Sequence, residues 1–92
     1  MSHTKTEKQK LLARVRRVRG QLEAVERALE AEAECAAVLQ QVTACRGALD
    51  GLIGEVVEHH IRDHVVDPKM PRDHPRARAA EQLVDIVHSY LT

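Results

Sequence analysis

The segment HHIRDH, residues 59–64, places three histidines within six positions. His60 and His64 are four residues apart, a spacing that puts two side chains next to each other on one face of a helix. Paired imidazoles can bind a metal ion, because neutral histidine is the commonest metal ligand in proteins. A solvated pair of histidines would show the same spacing, so the interpretation depends on further ligands elsewhere in the chain.

A helical wheel of residues 35–65 shows which of these histidines share a face, and it places a cysteine on the same face. At about 100° per residue, Cys35, His60 and His64 fall on one narrow face at the edge of the apolar stripe, and His59 falls away from it. Thiolate and imidazole together suit Zn(II), Ni(II), Co(II) or copper better than Mg(II) or Ca(II). Cys35 also begins the predicted helix, where the helix dipole favours the thiolate form.

A second subunit is needed to bring these ligands together. A straight helix separates Cys35 from His60 by about 37 Å, so a single chain cannot join them. Two copies of the helix, packed antiparallel about a two-fold axis near Leu49, place Cys35 of one subunit opposite His64 of the other. We therefore expect an intersubunit metal site formed by this cysteine and both histidines.

The opening sequence MSH offers two more nitrogen ligands. Methionine is normally removed before a small residue such as Ser2, and the new amine and the His3 imidazole could then chelate a metal together. From the residues alone, His3 suits an ordinary N-terminal tail equally well. The remaining candidates are expected to be structural: Cys45 in the core, and His59, His74 and His88 on the surface.

Three helices are expected to position these residues within a single domain. Apolar residues spaced alternately by four and three predict helix 1 over 6–31, and a second such stripe predicts helix 2 over 35–65. Three prolines mark 67–75 as a linker, with Asp73 near the cap of a third helix over 76–91. Residues 1–5 are expected to form a flexible tail, and the fold class is all-α.

The composition predicts an oligomer in a reducing compartment. The chain has 92 residues and one aromatic side chain, so its own core is thin and association would bury more apolar surface. Two cysteines make no disulfide framework. No membrane-spanning run and no signal-peptide pattern occurs, so we expect a cytoplasmic protein without membrane contact.

Charge is unevenly distributed although the net charge is zero. Residues 5–19 carry seven basic side chains against one acidic one, whereas residues 20–34 carry five acidic side chains against one basic one. The acidic half suits a solvated helix. The basic half has too few nearby acids to pair with, so a nucleic acid and a solvated surface both remain open on charge alone.

The segments RVRRVRGQLEAVERALE and ECAAVLQQVTACRGALDGLIGEVVEHHIRDHV, with the opening MSHT, resemble the CsoR/RcnR/FrmR family of bacterial transcriptional repressors. The resemblance covers essentially the whole chain and is closest to the nickel/cobalt branch, RcnR and DmeR. It implies an antiparallel helical dimer that assembles into a disc-shaped homotetramer, a dimer of dimers without a helix-turn-helix. It also implies binding to operator DNA in the apo form and release by an inducer.

Within the family, particular positions imply the inducer. Cys35 matches the shared thiolate, and His60 matches the histidine of helix 2. His64 matches the nickel/cobalt branch, whereas the copper sensors have a second cysteine there. That branch also uses the N-terminal amine, here of Ser2, and His3. The resemblance thus implies Ni(II) or Co(II) as inducer, with Zn(II) binding possible in vitro.

The formaldehyde branch has proline at the second position, and Ser2 departs from that pattern. Persulfide sensors need two cysteines on the sensing face, and Cys45 lies elsewhere. Two alternatives nevertheless remain open: an aldehyde or redox sensor that uses Cys35 as a nucleophile, and a metal carrier without a DNA role. An enzyme is not expected, because no set of nucleophile, base and orienting group occurs.

We therefore predict a Ni(II)- or Co(II)-responsive repressor of a metal-efflux gene. Lys10, Arg14 and Arg17 are spaced to share one face of helix 1, away from the apolar stripe, and are the predicted DNA contacts. The residues expected to support them are Arg16, Arg19 and Arg46.

Overall fold

The structure is a computed structural model that describes residues 4–91. It contains three α-helices, α1 (Lys5–Glu30), α2 (Cys35–His60) and α3 (Pro75–Leu91), and residues 4–91 include no strand. This confirms the predicted all-α fold class with three helices. A five-residue π-helix, Ile61–Val65, continues directly from α2.

Helix α1 begins at a capping box. The Thr4 hydroxyl accepts a hydrogen bond of 3.1 Å from the backbone N–H of Glu7, and the Glu7 carboxylate accepts one of 3.2 Å from the N–H of Thr4. Both contacts satisfy backbone donors that the first turn of a helix leaves without partners. The helix spans Lys5–Glu30, one residue earlier at each end than the predicted span of 6–31.

Helix α1 ends in a Schellman motif that contains no glycine. The N–H of Ala33 donates to the carbonyl of Ala28, and the N–H of Glu32 donates to the carbonyl of Leu29. Glu32 occupies the left-handed position with φ 54°, where glycine is usual. The sequence predicted the connection between the helices but not this geometry, because it contains neither Gly nor Pro to indicate a turn type.

The described chain divides into two compact units, one extending to Leu52 and the other starting at Ile53. In the first unit, the guanidinium of Arg14 on α1 lies against Gly51 on α2. Arg14 lies sixteen residues before the end of α1, and Gly51 lies sixteen residues after the start of α2. In an antiparallel helical hairpin, residues at equal distances from the connection lie opposite each other, as Arg14 and Gly51 do.

In the second unit, the end of α2, the π-helix and α3 surround a very small core. Ile61 and Val84 are the only large apolar side chains between residues 4 and 91 that are buried. The N–H of Val66 donates to the carbonyl of Ile61 over 3.2 Å, the five-residue spacing that defines a π-turn. The predicted helical span of 35–65 therefore has α geometry only as far as His60.

Helix α3 begins at Pro75, whose missing N–H costs nothing in a first helical turn. The side chain that caps it is His74, because its Nδ1 accepts a 3.1 Å hydrogen bond from the N–H of Arg76. The sequence predicted Asp73 near this cap and a linker extending through residue 75. An imidazole is an unusual cap, and cap statistics favour the neighbouring aspartate.

Many large apolar side chains remain exposed in the single chain. They include residues of all three helices: Leu12, Leu22, Leu29, Leu39, Leu49, Ile53, Leu83 and Ile86. Exposed apolar area of this extent is typical of a surface that associates with another protein. Within residues 4–91, no helix is both long and apolar enough to cross a membrane.

Candidate metal-sensing site and DNA-binding surface

The histidine pair lies where α2 changes into the π-helix. His60 is the last residue of α2, His64 lies within the π-helix, and both are exposed. Their ring centroids are 5.3 Å apart with an interplanar angle of 38°. A ring centroid lies about 3 Å from a metal ion that its nitrogen binds. The two imidazoles are therefore close enough to ligate one ion.

The third predicted ligand, Cys35, is the first residue of α2 and has an exposed, free thiol. Between residues 4 and 91, no three His, Cys, Asp or Glu side chains gather into a group that could hold a metal ion. One chain therefore presents a histidine pair and a separate thiol. Ser2 and His3, the other two predicted ligands, lie outside the described residues.

His59 is not the surface residue that the sequence predicted. Its side chain is only 10% exposed, and its Nε2 lies 3.7 Å from a carboxylate oxygen of Glu55, which is itself 17% exposed. A helical wheel shows where a residue lies relative to the apolar stripe, but not what covers the opposite face. The surface prediction is confirmed for His74 and His88, and Cys45 is half-buried.

An ionic cluster that the sequence did not predict joins α3 to the segment carrying the histidine pair. Arg62 donates to both carboxylate oxygens of Glu81 on α3, at 2.5 and 3.5 Å, and also lies 3.8 Å from Glu58. Glu58 in turn contacts the His88 ring nitrogen at 2.5 Å. Only the spacing of Glu58 and Arg62 was visible in the sequence, because their other partners lie on α3.

Arg62 lies between the two candidate metal ligands along the chain and is held by an acid of α3. A rearrangement of the π-helix would therefore change the contact between Arg62 and Glu81. The arginine side chain is 47% exposed and the glutamate 57% exposed, so solvent screens the pair and its contribution to stability is small.

The predicted DNA contacts all lie in the first unit, on α1 and on α2. Five of them are exposed, as a surface that binds phosphates requires: Lys10, Arg16, Arg17, Arg19 and Arg46. Arg14 differs, because it is half-buried and its Nη1 lies 2.7 Å from the position that a Cβ on residue 51 would occupy. The wheel placed Arg14 away from the apolar stripe of α1 and could not show its contact with α2.

Comparison with known proteins places this helical arrangement in one class. The sequence model of the metal-sensitive transcriptional repressors matches residues 7–89. The chain therefore belongs to this family, the CsoR/RcnR/FrmR family that its sequence resembled. Members of the family are transcriptional regulators and not enzymes.

Individual relatives support the same family. The chain is 50% identical over 66 residues, 72% of its length and 73% of the relative's, to a transcriptional repressor RcnR homolog of Escherichia coli O139:H28. It is also 50% identical over 91 residues, 99% of both chains, to an uncharacterised protein in the bioA 5′ region of Serratia marcescens.

A solved structure supports the fold. It is a variant of the formaldehyde-responsive regulator FrmR from Salmonella enterica serovar Typhimurium, 42% identical, with a TM-score of 0.69. The similarity covers 98% of this chain and 100% of the FrmR chain.

Proposed function

We propose that this chain is a Ni(II)- or Co(II)-responsive repressor that binds operator DNA without metal and leaves it when metal binds, which derepresses a metal-efflux gene. The observation that carries the proposal is the His60–His64 pair, whose ring centroids lie 5.3 Å apart on exposed residues. The 50% identity to an RcnR homolog supports the nickel/cobalt branch.

The proposed ligand set combines two subunits. Cys35 of one subunit joins His60 and His64 of another, and the N-terminal amine of Ser2 and the His3 imidazole complete the set. The exposed thiol at the start of α2 supports this arrangement, because it is accessible to a second copy of the chain. Mixed nitrogen and sulfur ligands suit Ni(II) and Co(II), and Zn(II) can bind the same donors in vitro.

The proposed assembly is a homotetramer, a dimer of dimers, in the cytoplasm. Large apolar side chains exposed on all three helices support it, because a chain with two buried large apolar residues among those described has little core of its own. The proposed DNA surface consists of basic residues on α1 and α2: Lys10, Arg14, Arg16, Arg17, Arg19 and Arg46.

The capping box supplies the connection between metal and DNA in this proposal. Thr4 and Glu7 form the start of α1, directly after Ser2 and His3 in the sequence, and α1 carries most of the proposed DNA contacts. Binding of the N-terminal nitrogens at the metal site would displace that start. Coupling of about 1–3 kcal/mol per site is ordinary for such linked equilibria, and several sites in one tetramer can add.

Subunit mixing tests the intersubunit site. At a Co(II) concentration that just fills the unaltered protein, Cys35→Ala should lack the thiolate-to-Co(II) absorption band because its sulfur ligand is gone, and His64→Ala should lose most of the band because its site binds Co(II) more weakly. After subunit exchange the band should return in part, because a mixed dimer contains one site with Cys35 from one chain and His64 from the other. A band that does not return, although exchange is shown with tagged subunits, contradicts a shared site.

Formaldehyde is the second candidate inducer. The similarity to FrmR at 42% identity favours it, together with the exposed Cys35 thiol, a possible nucleophile. Adding Ni(II) or formaldehyde to the complex with the upstream promoter separates the two functions. Release by Ni(II) alone supports the metal sensor, and release by formaldehyde alone supports the alternative. A metal-binding protein that does not shift this promoter would instead be a carrier.

A further inference from the structure

Arg14 differs from the other basic residues of α1 in its contact with α2. It is half-buried, whereas Arg16, Arg17 and Arg19 are exposed. An ideal Cβ built on Gly51 would lie 2.7 Å from Arg14 Nη1 and 3.9 Å from its Cζ. The guanidinium therefore occupies the space that any other residue at position 51 would need for its side chain.

This close approach at Gly51 is not repeated at two other glycines of the described chain. A Cβ built on Gly47, one turn earlier on the same helix, meets nothing within 4 Å, and neither does one built on Gly20 in α1. The atom that a Cβ at position 51 would displace is the far end of a long, flexible side chain. The guanidinium would move, while the helices would keep their positions. The missing side chain at position 51 thus permits the position that the charge of Arg14 occupies, and a side chain there would move that charge with little effect on stability.

We propose that Gly51 is a positioning residue for DNA binding, because the space that it leaves lets the Arg14 guanidinium lie where it contacts an operator phosphate. This inference rests on the proposed function, because it requires that Arg14 bind DNA. An arginine held before binding loses less side-chain entropy when it pairs with phosphate. The absence of a side chain at position 51 therefore strengthens operator binding through a residue on another helix.

The location of Gly51 also connects DNA binding to the metal ligands. Gly51 belongs to α2, the helix that begins with Cys35 and ends with His60. A shift of α2 on metal binding would alter the contact that fixes Arg14. Metal binding would then be coupled to DNA binding in two ways, through Gly51 on α2 and through the N-terminus.

The test compares Gly51→Ala with Gly47→Ala in the full-length protein. Both changes add the same methyl group and the same gain in helix propensity to α2. Gly51→Ala should raise the operator Kd about tenfold and reduce the slope of log Kd against log salt by about one for each phosphate that the protein no longer neutralises. Gly47→Ala and Gly20→Ala should bind operator like the unaltered protein. Co(II) affinity, oligomeric state and Tm should not fall in any of the three.

The Arg14→Ala variant separates a failure of the proposed DNA role of Arg14 from a failure of the positioning role of Gly51. It should weaken operator binding as much as Gly51→Ala does, and the double variant should bind no more weakly than Arg14→Ala alone. Normal operator binding by Arg14→Ala would overturn the proposed DNA role of Arg14 and with it this inference. Weak binding by Arg14→Ala with normal or tighter binding by Gly51→Ala would overturn only the positioning role. Equally weakened binding in Gly51→Ala and Gly47→Ala would overturn it too.

Discussion

The imidazole rings of His60 and His64 face each other at 5.3 Å across the point where α2 becomes a π-helix. A π-turn is rare in proteins and occurs most often at functional sites. It is wider than an α-turn, so the angular position of His64 differs from the one that an ideal helical wheel assigns. The two histidines nevertheless remain adjacent and exposed, as a chelating pair requires.

Replacing either histidine of the pair should weaken metal binding. His60→Ala and His64→Ala should each lower Ni(II) affinity by at least about tenfold, since even the partners that orient metal ligands contribute that much. Competition with a colorimetric chelator measures the affinities. His74→Ala is the matched control, because His74 is an exposed histidine at the start of α3 and should leave affinity unchanged. Unchanged affinity in both paired variants would disprove the site.

The two cysteines should behave differently. Cys35→Ser should abolish the thiolate-to-metal absorption of the Co(II) protein, because the exposed thiol at the start of α2 is the proposed sulfur ligand. Cys45→Ser should keep the band and lose some stability instead, since this half-buried cysteine is expected to act as a small apolar residue. Absorption spectra of both variants measure the Co(II) band, and thermal melts measure their stability. A band that disappears only in Cys45→Ser would reverse the assignment.

Arg62 and Glu81 should show a small, salt-sensitive coupling. Their side chains are 47% and 57% exposed, so a double-mutant cycle with Arg62→Ala and Glu81→Ala should give about 0.2–1 kcal/mol in the free energy of unfolding. Screening should remove most of it near 1 M salt. Urea unfolding measures the free energy of unfolding of the unaltered protein, both single variants and the double variant. All four are compared at one protein concentration, because association contributes to stability. A coupling that salt leaves unchanged would show that the pair is not mainly ionic.

Glu32→Gly should stabilise the protein. Glu32 has φ 54°, a left-handed conformation that costs a non-glycine residue about 1–2 kcal/mol. Glycine adopts it freely but loses more backbone entropy on folding, so the net gain should be about 0.5–1 kcal/mol. Glu34→Gly, two residues later and outside the left-handed position, should bring no gain. Chemical unfolding curves give the free energy of unfolding of both variants. A lower value for Glu32→Gly than for the unaltered protein would contradict backbone strain at residue 32.

Leu49→Glu should disrupt the assembly. Leu49 is 44% exposed in the single chain and lies where the predicted two-fold axis crosses α2. A buried carboxylate there would face its own copy, which desolvation and like-charge repulsion oppose. Sedimentation should show a smaller species, whereas Gln40→Glu, an exposed polar position of the same helix, should leave the size unchanged. A Leu49→Glu protein of unaltered size would move the axis away from this residue.

The sequence predicted the helices and the chemistry of the candidate ligands because both depend on local pattern. The apolar stripes place α1, the start of α2 and α3 to within one residue, although the α geometry of α2 ends five residues before the predicted end. The spacing of His60 and His64 places them together on any helical turn. The residue types alone indicate a nitrogen- and sulfur-binding metal. The basic composition of residues 5–19 is equally visible without a structure.

Tertiary structure decided what local pattern does not contain. The π-turn after His60, the capping of α3 by His74 and the low exposure of the His59 side chain are visible only in the folded chain. The contacts between Arg62 and Glu81 and between Arg14 and Gly51 join residues far apart in the chain. Periodicity shows the face that a residue occupies on its own helix, whereas its partners are set by packing between helices.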